Sequence, residues 1–410
     1  MKQLKSYAKL QAIHTQTKQP IATHAHNKVL EHALILIGIS LRGYPSSLQA
    51  FRCAQYNNLK ESTFYACIDP RRQQSFIFEH LEQTLVTYFN QCKKDGVAPQ
   101  IWLPNHSAFR HWEAICDRLC LTKTHFKLAS ILQYLTQRYH YGGSQTLLCL
   151  SHVLKNHWMT GQTDAQDESL ELWQNWLDTN QKNPPPEHNS TFLYLSQERD
   201  SPIAPNIVST LQKESESRLH HLAHTLSLFE QHAPDIIPSW VDWWQQDLHY
   251  FSLFCSKPTS AEEDSSMLAA QKLEERECTI ENYISDLRRE DSAYFYGSLL
   301  EGYCLEGVVQ DIHSQTISLL CNQPIIRARE GDSLSLRKNS QAQFRVVESE
   351  WNEQGYLVTI RKTFGRISCS LHQKIQLVPS SMGWIFVQRQ RQKIFERMNK
   401  TGWIHAKENK

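Results

Sequence analysis

The chain has 410 residues, 40% of them hydrophobic and 21% charged, with 14 glycines and a net charge of +1. That composition belongs to folded domains with real cores, and the low glycine count argues for a mostly helical architecture. The charge is uneven: residues 302–410 hold 16 basic and 9 acidic side chains, and the 301 before them hold 27 and 33.

Residues 1–25 are polar and predict a poorly ordered start or a short helix. Lys2, Lys5 and Lys9 are followed by no apolar run, so no secretory leader is expected. Val29, Leu30, Ala33, Leu34 and Ile37 suit a helix from His26 to Leu41, buried on one face and ended by Tyr44-Pro45. Its apolar run, Ala33–Ile39, is seven residues long, whereas a bilayer span needs about 20, so no membrane partner is expected. An irregular stretch reaches Asp69-Pro70. Phe78, Leu81, Leu85, Phe89 and Cys92 then mark an amphipathic helix over Phe76 to Lys94, closed by Asp95-Gly96.

Gln100–Leu103 reads as a short strand, and Pro104-Asn-His-Ser opens a helix carrying Phe109, Trp112, Cys116 and Leu119. Two more helices are expected, one at Leu128 to Tyr139 and one at Leu147 to Trp158. A short helix lies around Leu170, Trp173 and Leu177, and Asn183-Pro-Pro-Pro marks a linker. Thr191–Leu195 reads as an isolated strand, and a long helix follows Pro205. Ser239 caps an aromatic helix through Trp240, Trp243, Trp244 and Phe251. After a polar loop, Met267 to Asp291 is a charged connector helix.

From Gly302 the apolar period switches to two. Val308/Ile312, Ile317/Leu319, Leu334/Leu336, Phe344/Val346 and Leu357/Thr359 predict short antiparallel strands that fit a small barrel. Trp384 to Met398 reads as a basic helix. The fold class is therefore α+β: a mostly α-helical body with a small C-terminal antiparallel β-barrel and a basic terminal helix. The expected divisions are a helical domain (1–182), a second helical segment (190–300), the barrel (302–380) and the tail (381–410). Glu330-Gly-Asp-Ser-Leu-Ser-Leu resembles a corner of SH3-like, OB-like and translation-factor-type barrels.

No phosphate loop or dinucleotide fingerprint occurs, and no cofactor is expected. His111, Cys116, Cys120 and His125 form the tightest metal-type set, but the cysteines lie in register with an apolar stripe, so core packing is the expectation and no metal is assigned. His220, His221 and His224 read as a solvated helix face, and Asp164, Asp167, Glu168 and Glu171 as an exposed acidic one. The aromatic helix at Trp240 reads as a core anchor before a base-stacking surface. The eleven scattered cysteines read as free thiols of a cytoplasmic protein, most of them small buried hydrophobes.

The strongest signal is the basic end, where residues 356–410 carry 11 basic and 2 acidic side chains. Arg361, Lys362, Arg366, Lys374, Arg389, Arg391, Lys393, Arg397 and Lys400 are the candidate phosphate contacts. Trp384, Phe395 and Trp403 are the candidate stacking rings. No catalytic residue is assigned. The expectation is a non-catalytic subunit that binds nucleic acid, DNA before RNA, beside a protein partner in a bacterial-type DNA-handling complex of the defence or mobile-element kind. The alternatives are a protein scaffold whose basic tail docks an acidic partner, and a diverged metal-dependent enzyme using the 111–125 cluster.

Overall fold

Leu34–Ile39 is not a helix but the central strand of a sheet (here β2), and its side chains explain why. Leu34 and Leu36 point into one core, and Ile35 and Ile37 into another. A strand buried on both faces reads as an unbroken apolar run, which periodicity cannot separate from a short buried helix. The computed structural model describes residues 1–40, 46–69, 73–178, 204–256, 266–365 and 369–380. The chain divides into two compact units, one of Met1–Leu273 with Glu290–Tyr294, the other of Glu274–Arg289 with Phe295 onward.

The first unit begins with helix α1 (Lys2–Thr15) and a two-residue strand, β1 (Gln19–Pro20). After β2 the chain turns back as β3 (Ala50–Gln55) and β4 (Asn58–Ala66), an antiparallel pair where the sequence reads as irregular. Helix α2 (Gln74–Asp95) crosses over to β5 (Ile101–Leu103), and helices α3 (His106–Thr122) and α4 (Phe126–Tyr139) cross over to β6 (Leu147–Cys149). The sheet order is β4-β3-β2-β5-β6, with β2, β5 and β6 parallel. The expectation of a mostly helical body is thus corrected: this unit is a mixed α/β layer structure. One expected helix, Leu147 to Trp158, divides into β6, helix α5 (Leu150–His157) and the short strand β7 (Trp158–Met159) that pairs with β1.

Helices α2, α3 and α4 cover one face of the sheet through Phe78, Leu85, Phe109, Ile115, Leu128 and Leu135. The opposite face is covered by α5, α6 (Leu170–Leu177) and α7 (Ala204–His232) through Leu154, Trp173, Leu222 and Phe229. Helix α8 (Trp240–Ser256) seats Phe251 in the first of these cores. Trp240, Trp243 and Phe251 are 9%, 3% and 4% exposed, so this aromatic helix is a core anchor.

Helix α9 (Ser266–Glu290) is followed by α10 (Ser292–Leu300). The second unit is built on a closed six-stranded antiparallel barrel. Its strands are β8 (Leu305–His313), β9 (Thr316–Cys321), β10 (Ser333–Leu336), β11 (Asn339–Asn352), β12 (Gly355–Phe364) and β13 (Lys374–Pro379), in the order β10-β11-β12-β9-β8-β13. Leu305, Val309, Leu319, Leu334, Phe344, Val358, Ile360 and Leu377 fill its interior. On β12 the inward residues are Val358 and Ile360, one place off the expected Leu357/Thr359 face. β13 is a sixth strand that closure requires and the sequence pattern alone leaves unassigned. No helix among the described residues is long and apolar enough to cross a membrane.

Candidate nucleic-acid interface

A barrel strand sends alternate side chains outward, and the inward pair Val358/Ile360 fixes Arg361 on the outer wall. Register brings Arg345 of β11 directly opposite it. Both side chains are exposed. Among the described residues neither guanidinium has an ion-pair partner. Like charges placed directly across a sheet repel and destabilise the pair.

The same rung continues across neighbouring strands as Ser333, Arg345, Arg361, Thr316 and His313. The row is polar and cationic over five strands; of the carboxylates that flank it, Asp311 contacts His313 at 2.8 Å and Asp332 accepts the Arg329 amide at 2.8 Å. Two register shifts bracket Arg345, between Gln343 and Phe344 and between Val346 and Glu348. Such bulges raise local twist and re-aim side chains. The rung on one side pairs Gln343 with Phe364, whose ring is 66% exposed. Away from it, toward the hairpin end, the wall turns acidic, with Glu348, Glu350 and Glu353 all exposed.

Of the nine candidate phosphate contacts, Arg361 lies in this row and Lys362 is half-buried beside it, opposite Phe344. Lys374 lies on β13, on the opposite wall of the six-stranded ring. There its ammonium contacts Glu306 at 2.7 Å, and that hydrogen bond holds the lysine above its ordinary value. Its charge is already matched. Arg366, Arg389, Arg391, Lys393, Arg397 and Lys400, and the rings Trp384, Phe395 and Trp403, lie outside the described residues. Sequence reasoning missed Arg345 and Phe364, which only strand register brings beside Arg361.

Open α/β sheets bind ligands at the C-terminal edge of their parallel strands. Glu168 occupies it. Its carboxylate accepts from the His106 amide at 3.0 Å at the start of α3, from the Ser151 hydroxyl at 3.3 Å and from the Lys155 ammonium at 3.0 Å. Burial pushes this acid up, but Lys155 and the other donors outweigh it and hold the group below its ordinary value. Asp167 is 8% exposed and Glu168 and Glu171 are half-buried, so of the acidic stretch only Asp164 is exposed as its composition suggests. Beside it, a Cβ on Gly38 would come within 2.8 Å of the Trp112 ring and 3.1 Å of His111.

The 111–125 set is dispersed in role. His111 packs near Gly38, Cys116 sits in the core, and His125 starts α4 with its ring 5.7 Å from Phe78. Among the described residues no three His, Cys, Asp or Glu side chains are grouped as a metal ion would require. His220 and His224 are exposed on α7, as a solvated face requires, whereas His221 is half-buried against α6, 3.8 Å from Glu171. The eleven cysteines are free thiols, seven of them buried. Burial raises Cys53 and Cys149 to about 12, which makes them packing residues and not nucleophiles.

Comparison with known protein families, curated proteins and solved structures finds no match to this chain.

Proposed function

We propose that this chain is a non-catalytic, nucleic-acid-binding subunit, with DNA as its partner, that works beside an enzyme carried by another chain in a DNA-handling complex. Defence and mobile-element machinery are systems of that kind. The observation that carries the reading is Arg345 opposite Arg361 on the barrel wall, both exposed and both without an anionic partner among the described residues. A backbone phosphate between them turns a repulsive rung into a charge-assisted one, because each guanidinium presents a fork of donors matched to phosphate oxygens. The barrel then serves as an OB- or SH3-like platform whose outer wall tracks a sugar–phosphate backbone with little sequence readout. The basic residues 389–400 add charge to the same partner.

The full-length protein with Arg345→Glu and Arg361→Glu together tests this by fluorescence anisotropy on a labelled DNA. Affinity is expected to fall about tenfold or more at low salt. A variant reversing Glu348 and Glu350 is expected to bind at least as well as the parent. Unchanged affinity in the double arginine variant would overturn the assignment.

A protein-docking reading has its own support in the first unit. Phe76, Leu121 and Phe126 are 49%, 77% and 60% exposed, at the adjoining ends of α2, α3 and α4. Grouped exposed apolar side chains of this kind mark interaction surfaces. They give the α/β unit a surface for the partner chain that the proposal requires.

A further inference from the structure

The ring of Phe364 lies beside the arginine rung and is 66% exposed. It points outward from the last rung of β12, paired with the half-buried Gln343, and no other ring packs against it among the described residues. Gly365 follows at φ +85°, and a Cβ there would come within 2.5 Å of the Gln341 carbonyl oxygen. Only glycine allows the chain to leave the strand at this point, which keeps Phe364 at the end of a fixed strand and not on a free loop. Its distance from the Arg345–Arg361 rung is about two strand residues, roughly 7 Å.

A flat, apolar group can cover such a ring, and an anionic group can match the two guanidiniums. A nucleobase on a phosphodiester chain satisfies both demands at once. In a duplex the base faces are already stacked on one another, and only edges and phosphates are presented. We infer that Phe364 is a stacking platform for an unpaired base, with Gln343 beside it to hydrogen-bond a base edge or sugar and Arg345 and Arg361 on the adjoining phosphate. The preferred ligand is therefore a single strand or a locally opened duplex. This rests on the phosphate role of the arginine rung proposed above and adds a specificity that the rung alone does not supply.

The test compares the full chain, Phe364→Ala and Phe364→Trp on three labelled probes at one salt concentration: a single-stranded DNA oligonucleotide, RNA of the same sequence, and the blunt DNA duplex. Phe364→Ala is expected to weaken single-strand binding at least fivefold and to leave duplex binding unchanged. Phe364→Trp is expected to keep the single-strand affinity, with its fluorescence quenched on binding. The sugar whose single strand binds tighter identifies the ligand as DNA or RNA. Single-strand affinity unchanged in Phe364→Ala, or an equal loss on single strand and duplex, would overturn the platform. Displacement of the single strand by a Glu/Tyr copolymer, acting through Phe364 at higher affinity, would assign the ring to a protein partner instead. The arginine pair is judged separately: if Arg345→Glu/Arg361→Glu loses all binding while Phe364→Ala behaves as the parent, only the stacking role fails.

Discussion

His157 is fully buried and must remain neutral in the folded protein. Its Nδ1 donates to the Val153 carbonyl at 2.7 Å, and its Nε2 accepts the His26 amide at 3.0 Å. Burial, with His26 adding to it, lowers this imidazole from 6.5 to about 3. The unfolded chain takes up a proton through about pH 6.5 that the folded chain refuses. The contribution is therefore complete above pH 6.5 and is lost as pH falls, by up to about 1.4 kcal/mol per unit. Asp291 acts in the same direction at lower pH. Burial pushes it up, but His26 at 3.1 Å and the amides of Thr23 and Tyr294 outweigh it and hold it below its ordinary 3.8. Its share is lost only as the solution becomes more acidic than that. His152 and His232 are also lowered and add slope of the same sign. His157→Gln, which keeps a donor and an acceptor without titrating, is expected to reduce the pH 6.5 to 4 slope by about one proton. Denaturant midpoints across that range check it, and an unchanged slope counts against the account.

The arginine rung shows at the same scale why the candidate site was only half legible. Arg361 stands out in the sequence because it lies in a basic run. Arg345 does not, since it sits among residues that are neutral or acidic overall. Counting back from the turn between Asn352 and Gly355, an unbroken hairpin sets Arg345 opposite Lys362, with Val346 opposite Arg361. The irregularity between Val346 and Glu348 moves the pairing by one residue and makes the two arginines partners. No residue in Arg345-Val-Val-Glu is a glycine or proline that would announce that bulge.

At the scale of elements, the helices with a clear stripe and a cap were legible. Asn105 accepts from the Ala108 amide at the start of α3, and Gly96 closes α2 at φ 68°. The strands of the first unit were not, because Leu34–Ile39 is buried on both faces and the three-residue β5 and β6 are too short to show a period. The element that ties α8 to α4 is a buried ion pair. Asp247 receives two bonds from the Arg138 guanidinium, at 2.6 and 3.2 Å, one from the Ser144 hydroxyl at 2.9 Å and one from the Gln145 amide at 2.6 Å. The guanidinium also lies 4.3 Å from the Tyr141 ring centre and 4.2 Å from that of Tyr250. Asp247→Ala leaves a buried cation with no counter-charge, and is expected to cost about 3–5 kcal/mol in chemical denaturation. Arg138→Met combined with Asp247→Leu is expected to recover most of that. A loss well under 1 kcal/mol in the single variant would show that the pair does not anchor α8.

At the scale of the whole molecule, the chain joins an α/β unit to a closed barrel whose outer wall changes sign along its length. The C-terminal charge bias was visible from composition, and the barrel from its two-residue period. What composition could not show is that Lys374 is matched by Glu306 while Arg345 and Arg361 are not. The central claim is that these two arginines hold phosphate, and counterion release measures it directly. The slope of log affinity against log salt for duplex DNA should be shallower by about 2 in Arg345→Gln/Arg361→Gln than in the parent, since each lost phosphate contact removes about 0.9. A parent slope near zero, or identical slopes for the two proteins, would contradict it.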